Sequence, residues 1–296
     1  MVVASRTIAV AVLAASMGAV RPARAEQLDQ RRPAASDGLV EIENPAGSVR
    51  VIGWSKAEVA VTGTAGRRAK LNLRGDGRRT HVEVEVEGNP HSAQSDIEVR
   101  VPAGSRVSVE SFASSITVSE VTGPVTAETV NGAVSVSGSV KEVSAESVNG
   151  AVDVSGAPTR VHAGTVNGAL TVRGARGEVE VNTVNGELRV VAGGPIQRAH
   201  LESVSGSIRF EGELAPHADL QAQTVSGEVE LVLPAGTAAD FTVTTFSGAI
   251  DTDFGASLYR GPRRHSPERE LTFSIGGGGA KVSIETLSGA ISLRKR

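Results

Sequence analysis

The sequence predicts an all-β fold, a parallel β-solenoid (β-helix) of about 18–21-residue coils with an N-terminal β cap. Three observations predict it. The tetrad Thr129-Val130-Asn131-Gly132 recurs at a stride of 18 residues, ending again at Gly150, Gly168 and Gly186. Apolar residues hold fixed places around each of these glycines. Aromatics are only 3% and cysteine is absent, so the core has to come from Val, Ile, Leu and Ala without disulfides. A fixed short period marks one structural unit stacked on itself.

Residues 1–25 read as a signal peptide. Arg6 precedes an apolar run from Thr7 to Val20, and Ala23-Arg24-Ala25 supplies the small-x-small cleavage pattern. The run is short for a membrane span, which needs about 20 apolar residues. No cysteine lies near the cleavage point to carry a lipid, and nothing later in the mature chain approaches a transmembrane segment. The expected destination is the periplasm, the cell surface or the extracellular space. Without the three arginines of residues 1–25 the chain has 27 basic and 33 acidic residues, net −6, which argues against nucleic acid as a partner.

Residues 26–36 read as a flexible N-terminal segment, and 37–110 as an N-terminal β cap with a first coil-like unit. Val40, Ile42, Val49 and Val51 surround Gly47 at the spacing of the later repeats, with Pro45 in the place of an apolar residue. Val82, Val84 and Val86 alternate with Glu83, Glu85 and Glu87; Ile97, Val99 and Val101 alternate with Glu98 and Arg100. Antiparallel pairing suits such half-solvated strands. The cap would blunt the open edge of the stack, with Trp54, the only Trp, in its core.

Residues 111–252 read as the solenoid repeats. Counting from each glycine as zero, positions −7 and −5 are apolar, as in Val125 and Ala127 or Val143 and Ala145. So are +2 (Val134, Val152, Leu170, Leu188) and +4, with Thr252 the exception. Spacing of two is the strand period. Position −2 is Val, Phe or Leu throughout, and the step from −5 to −2 breaks that alternation. A bend is therefore expected between them, with all apolar columns merging into one core. Position −3 is always Thr or Ser; Asn131, Asn149, Asn167 and Asn185 at −1 should form an amide ladder serving the corner backbone. Ser114 reads as a degenerate zero position flanked by Phe112, Ile116 and Val118, and the copies loosen to Gly206, Gly227, Gly248 and Gly289.

Residues 253–270 read as a loop insertion rich in arginine (Arg260, Arg263, Arg264, Arg269) with His265, and 271–296 as closing strands and a C-terminal coil. The repeated Thr-Val-x-Gly-x-Val-x-Val units, Val101-Pro102-Ala103-Gly104, and the Gly-rich run Ile275–Lys281 before Ile284-Glu285-Thr286-Leu287-Ser288-Gly289 resemble the bacterial DUF4097 family of adhesin-like β-strand repeat proteins. The resemblance spans about residues 37–293. It implies an exported or envelope β-solenoid and brings no catalytic residues with it.

No reaction is indicated. Glu110, Glu128 and Glu146 fall 18 apart and point outward. Stacking would set their carboxylates about 5 Å apart, near the separation in retaining glycosidases, but no groove is expected around them and the column continues with Gly164 and Asn182. Glu142, Arg160 and Glu178 alternate in sign at the same stride, as charge pairing between coils. The six histidines show no metal-pair spacing; His200 near Glu202 and His217 near Asp219 come nearest. There is no Gly-x-Ser-x-Gly elbow or Gly-Lys phosphate loop, and Gly276–Gly279 reads as a tight crossing into the last coil. No catalytic, cofactor-binding or metal-ligating residue is assigned and no cofactor is expected. The expected function is that of a non-enzymatic structural or adhesin-like element of the cell envelope, binding a polymer, a protein or a second copy of itself. The alternatives are a polysaccharide-acting β-helix enzyme and an envelope sensory or scaffolding protein that uses the Arg-rich loop.

Overall fold

The computed structural model describes residues 26–66, 69–86, 94–255 and 269–296. These form 24 strands and no helix. The N-terminal part holds β1 (Glu26–Pro33), β2 (Leu39–Trp54), β3 (Glu58–Ala65), β4 (Ala69–Gly75), β5 (Arg79–Val86), β6 (Ser95–Pro102) and β7 (Arg106–Ser119). Two-strand coils follow: β8 (Val125–Asn131) with β9 (Val134–Gly138), β10 (Glu142–Asn149) with β11 (Val152–Gly156), β12 (Arg160–Asn167) with β13 (Leu170–Arg173), and β14 (Gly177–Asn185) with β15 (Leu188–Val191). The looser coils are β16 (Ile196–Ser205) with β17 (Ile208–Glu211), β18 (Leu214–Ser226) with β19 (Val229–Leu233), and β20 (Ala239–Ser247) with β21 (Ile250–Thr252). Strands β22 (Arg269–Ile275), β23 (Ala280–Ser288) and β24 (Ile291–Lys295) end the chain.

The coils stack in parallel, and the stride of the sequence is the register of the sheet. Val143 pairs with Val125 and Val161, and Val152 with Val134 and Leu170. Positions −7, −5, +2 and +4 point inward and are almost wholly buried up to the partly exposed Ile250 and Thr252 of the last rung, so each becomes an apolar column. Ser114 lies in register with Gly47, which extends the columns into β2 and β7.

The corner is built differently from expectation. The alternation continues unbroken through −3 and −2, and the strand bends only after −1. In β10, Ser147 at −3 points inward and is buried, while Val148 at −2 points outward and is 40% exposed. In five coils the inward hydroxyl donates to the carbonyl of the neighbouring coil's zero residue, as in Ser147 Oγ to Gly132 O at 2.9 Å and Thr165 Oγ1 to Gly150 O at 2.9 Å, whereas those of Thr183, Ser203 and Thr286 are buried without a partner. A hydroxyl satisfies a carbonyl at this narrow corner, which an apolar side chain would leave unpaired. The glycine at zero is required by close approach. A Cβ on Gly150 would stand 2.0 Å from Gly132 O, and one on Gly168 2.2 Å from Gly150 O. The asparagines do stack, but each amide bonds the next (Asn149 Nδ2 to Asn131 Oδ1 3.0 Å, Asn167 Nδ2 to Asn149 Oδ1 2.9 Å), not the corner backbone.

Chain order and spatial order part at both ends. Strand β2 lies between β6 and β7, parallel to both. Likewise β23 and β24 lie between the coils β18–β19 and β20–β21. Each inserted coil is passed over by the same turn. Val101-Pro102-Ala103-Gly104-Ser105 carries β6 past β2, and Leu233-Pro234-Ala235-Gly236-Thr237 carries β19 past β24. In both turns the fifth residue's N–H donates to the proline carbonyl (2.9 and 3.0 Å). The alanine N–H donates to the end of the inserted strand, Trp54 O at 2.9 Å and Arg296 O at 3.3 Å. The Gly-rich crossing Gly276–Gly279 has positive φ at all four residues and takes the chain from β22, on the outer side of β20, to β23 on its inner side.

Antiparallel strands finish both ends: β22 on β20, and β3 on β6, β4 on β5 and β1 on β3. Two expectations for the N-terminal part, those for residues 26–36 and for Trp54, need correction. Residues 26–36 are not a flexible segment throughout, because Glu26–Pro33 pairs along β3 and buries Leu28. The antiparallel pairing expected of β5 and β6 is present, to β4 and β3, and both strands also run parallel to β2. Trp54 is half-buried rather than in the core: its Nε1 donates to Glu58 O (2.8 Å), and Lys56 and Arg100 lie over its ring. The proposed signal peptide and residues 256–268 of the Arg-rich loop lie outside the described residues.

Candidate binding surface

Because −2 points outward, the apolar residues there form a line on the surface. In spatial order it runs Phe112, Val130, Val148, Val166, Val184, Val204, Val225, Leu287 and Phe246, the inserted C-terminal coil supplying Leu287 between Val225 and Phe246. Every exposed large apolar side chain among the described residues belongs to this line: Phe112, Val148, Val166, Val184, Val204, Val225, Phe246 and Leu287, from 37% to 55% exposed. Isolated exposed apolar residues are ordinary; eight in one row are not.

The −4 column runs beside the ridge, two residues back on the same strand face. It begins with five stacked glutamates, Glu83, Glu43, Glu110, Glu128 and Glu146, and continues through Gly164, Asn182, Glu202, Gln223, Glu285 and Thr244. Like charges in register repel. Burial, then Glu146, then Glu110 raise the Glu128 carboxyl above its ordinary value. Between ridge and column lies a groove floored by the −3 hydroxyl residues. It has two stretches, of about 390 and 800 Å³, which meet at Asn182 and Val184. The carboxylates point outward as their strand parity requires, whereas the groove beside them is illegible in the sequence because apolar residues at −2 look like core.

The −8 column alternates in charge: Glu142, Arg160, Glu178, Arg198, Asp219, Lys281, Asp240. Arg160 bridges Glu142 and Glu178 at 3.1 Å each, and Arg198 reaches Glu178 at 3.3 Å. Such exposed pairs contribute little singly. His200 does meet Glu202 (2.8 Å). The nearby Asp219 carboxylate accepts from Gln221. His162 lies between Glu146 (3.4 Å) and Glu180 (3.6 Å). His81, Glu43 and Glu83 have ligand atoms within 4.8 Å of one another and could hold a metal ion. Glu41 also stands 4.0 Å from His81. Sequence spacing missed the trio because β2 and β5 meet only through parallel pairing.

The sequence profile described as Toastrack DUF4097 matches residues 39–294. The chain belongs to the Toastrack DUF4097 family. No curated protein matches the sequence. Among solved structures the chain is similar to a "putative adhesin" from Parabacteroides merdae, at 10% identity and TM-score 0.48, covering 91% of this chain and 97% of that one. It is also similar to a "putative lipid binding protein" from Parabacteroides distasonis, at 12% identity and TM-score 0.38, with 91% and 97% covered. A third is a "putative cell adhesion protein" from Clostridium sporogenes, at 9% identity and TM-score 0.21, with 92% and 100% covered. No helix among the described residues of this Toastrack protein is long and apolar enough to cross a membrane.

Proposed function

We propose that this Toastrack protein is an exported, non-enzymatic, adhesin-like element of the cell envelope that binds an elongated polymer or protein along its groove. One observation carries the reading: all the exposed large apolar side chains of the described residues stand on a single line along the stack. Such a surface loses free energy by being covered, by about 25 cal/mol for each Å² of apolar area.

The carboxylate geometry favours binding over hydrolysis. Glu110, Glu128 and Glu146 stand in one column on one wall, and the facing wall is apolar. Hydrolysis of a glycosidic bond uses two carboxyl groups flanking that bond.

The test is retention of purified residues 26–296 on isolated cell envelopes, beside the variant Val166→Ser/Val184→Ser/Val204→Ser. The variant is expected to fold normally, since all three side chains are exposed, and to lose most of its retention. Equal retention of both proteins would remove the ridge from the function. Cell fractionation with N-terminal sequencing tests export; an unprocessed chain in the cytoplasm would contradict it.

A further inference from the structure

We infer that the occupant of the groove is an extended polypeptide segment carrying apolar side chains on one side and Lys or Arg on the other. This rests on the binding role proposed above and adds the class of partner.

Shape argues first. From Phe112 to Phe246 the ridge climbs nine rungs, about 38 Å at the ~4.8 Å spacing of paired strands. It is one side chain wide. A strip of that length and about 10 Å width offers roughly 400 Å², half of the ~800 Å² per partner in a stable interface between folded proteins. A second copy or a globular partner would leave too little area buried. A chain lying lengthwise uses all of it.

Charge argues next. The wall beside the ridge holds Glu110, Glu128, Glu146, Glu202 and Glu285, and its column contains no Lys or Arg. Phosphate-bearing polymers and anionic lipid surfaces are repelled there, and ammonium or guanidinium groups are attracted. A bound cation would also relieve the crowding of like charges that raises Glu128.

Geometry joins the two lines. Positions −4 and −2 project from the same strand face about 6.7 Å apart. One extended chain lying between them sends alternate side chains to opposite sides, apolar ones over the ridge and basic ones over the glutamates. Same-side residues of that chain recur every ~6.7 Å, against rungs every ~4.8 Å. No fixed register results, so binding tolerates sequence changes and strengthens with length.

The experiment is fluorescence anisotropy on residues 26–296 with labelled synthetic peptides. A dodecamer alternating Val and Lys spans about 40 Å. It is expected to bind at least tenfold tighter than its hexamer, than a Ser-Lys dodecamer, or than a Val-Glu dodecamer. Raising salt from 0.05 to 0.5 M should weaken it at least fivefold. Glu128→Gln/Glu146→Gln should weaken it and flatten that salt dependence; Val166→Ser/Val184→Ser should weaken it without changing the salt slope. Equal binding of the Ser-Lys peptide, tight binding of the Val-Glu peptide, or no peptide binding would each overturn the inference. Ridge-dependent binding of phosphatidylcholine vesicles or a neutral glycan, with none of the peptides, would overturn it while leaving the binding role standing.

Discussion

Side-chain direction at single positions decides what is core and what is surface. Val152 is 1% exposed between Val134 and Leu170. Val152→Asp places an unpaired charge in a dry column and should cost more than about 3 kcal/mol, read as a large drop in thermal midpoint or loss of cooperative unfolding. Val148→Asp, four residues earlier but outward, should cost less than about 1 kcal/mol. Glu128 offers a test of charge. Its folded value lies above its unfolded one, so the ionised carboxylate opposes folding; the penalty is full above the folded value and absent below the unfolded one. Because Glu128 is exposed and solvent screens its neighbours, Glu128→Gln should stabilise by only a few tenths of a kcal/mol at pH 7, about 1 °C at most, and the gain should vanish as pH falls through the carboxylate range. Hydrophobicity alone made the inward columns legible in the sequence. It misplaced −3 and −2 because the rule that apolar residues go inside fails at a corner where a carbonyl needs a hydroxyl. Strict alternation from −8 to −1 was the better guide.

Strand order within the stack departs from chain order, and this too left a trace. The −8 column alternates sign without a break only when Lys281 stands between Asp219 and Asp240. In chain order the two aspartates would be neighbours. The two Pro-Ala-Gly turns mark the same departure, one at each end, although their shared role is invisible until the strands they pass over are seen. The absence of cysteine makes this arrangement testable by cross-linking. Gln221→Cys with Ser283→Cys joins rungs in register and should oxidise readily. Gln221→Cys with Thr242→Cys spans two rungs, about 9.6 Å, beyond disulfide reach, and should stay reduced. The reverse pattern would show the last coil to be stacked at the end. The His81 trio was illegible for the same topological reason: its strands are partners only because β2 is inserted.

At the scale of the whole molecule the repeat turns single side chains into lines about 38 Å long, and the groove exists only because two such lines run in parallel. Removing Leu287 and Phe246 by Leu287→Ser/Phe246→Ser shortens the ridge by two rungs at one end. Thermal stability should change by less than about 1 kcal/mol, because both side chains are half exposed, while retention on envelopes should fall. Parallel loss of both would mean that these residues support the fold rather than a partner.

The inserted coils also set how the protein carries a mechanical load. A strand at the open edge of a stack can be peeled away one hydrogen bond at a time. Strand β24 is less open to this, since β19 holds it from Ile291 to Lys295 and β21 holds Ile291 to Leu293 on the other flank. Two rows of bonds must slide together, and β2 is gripped in the same way at the opposite end. Pulling on β24 therefore has to break bonds on two flanks at once where it is doubly paired, instead of unzipping a single row.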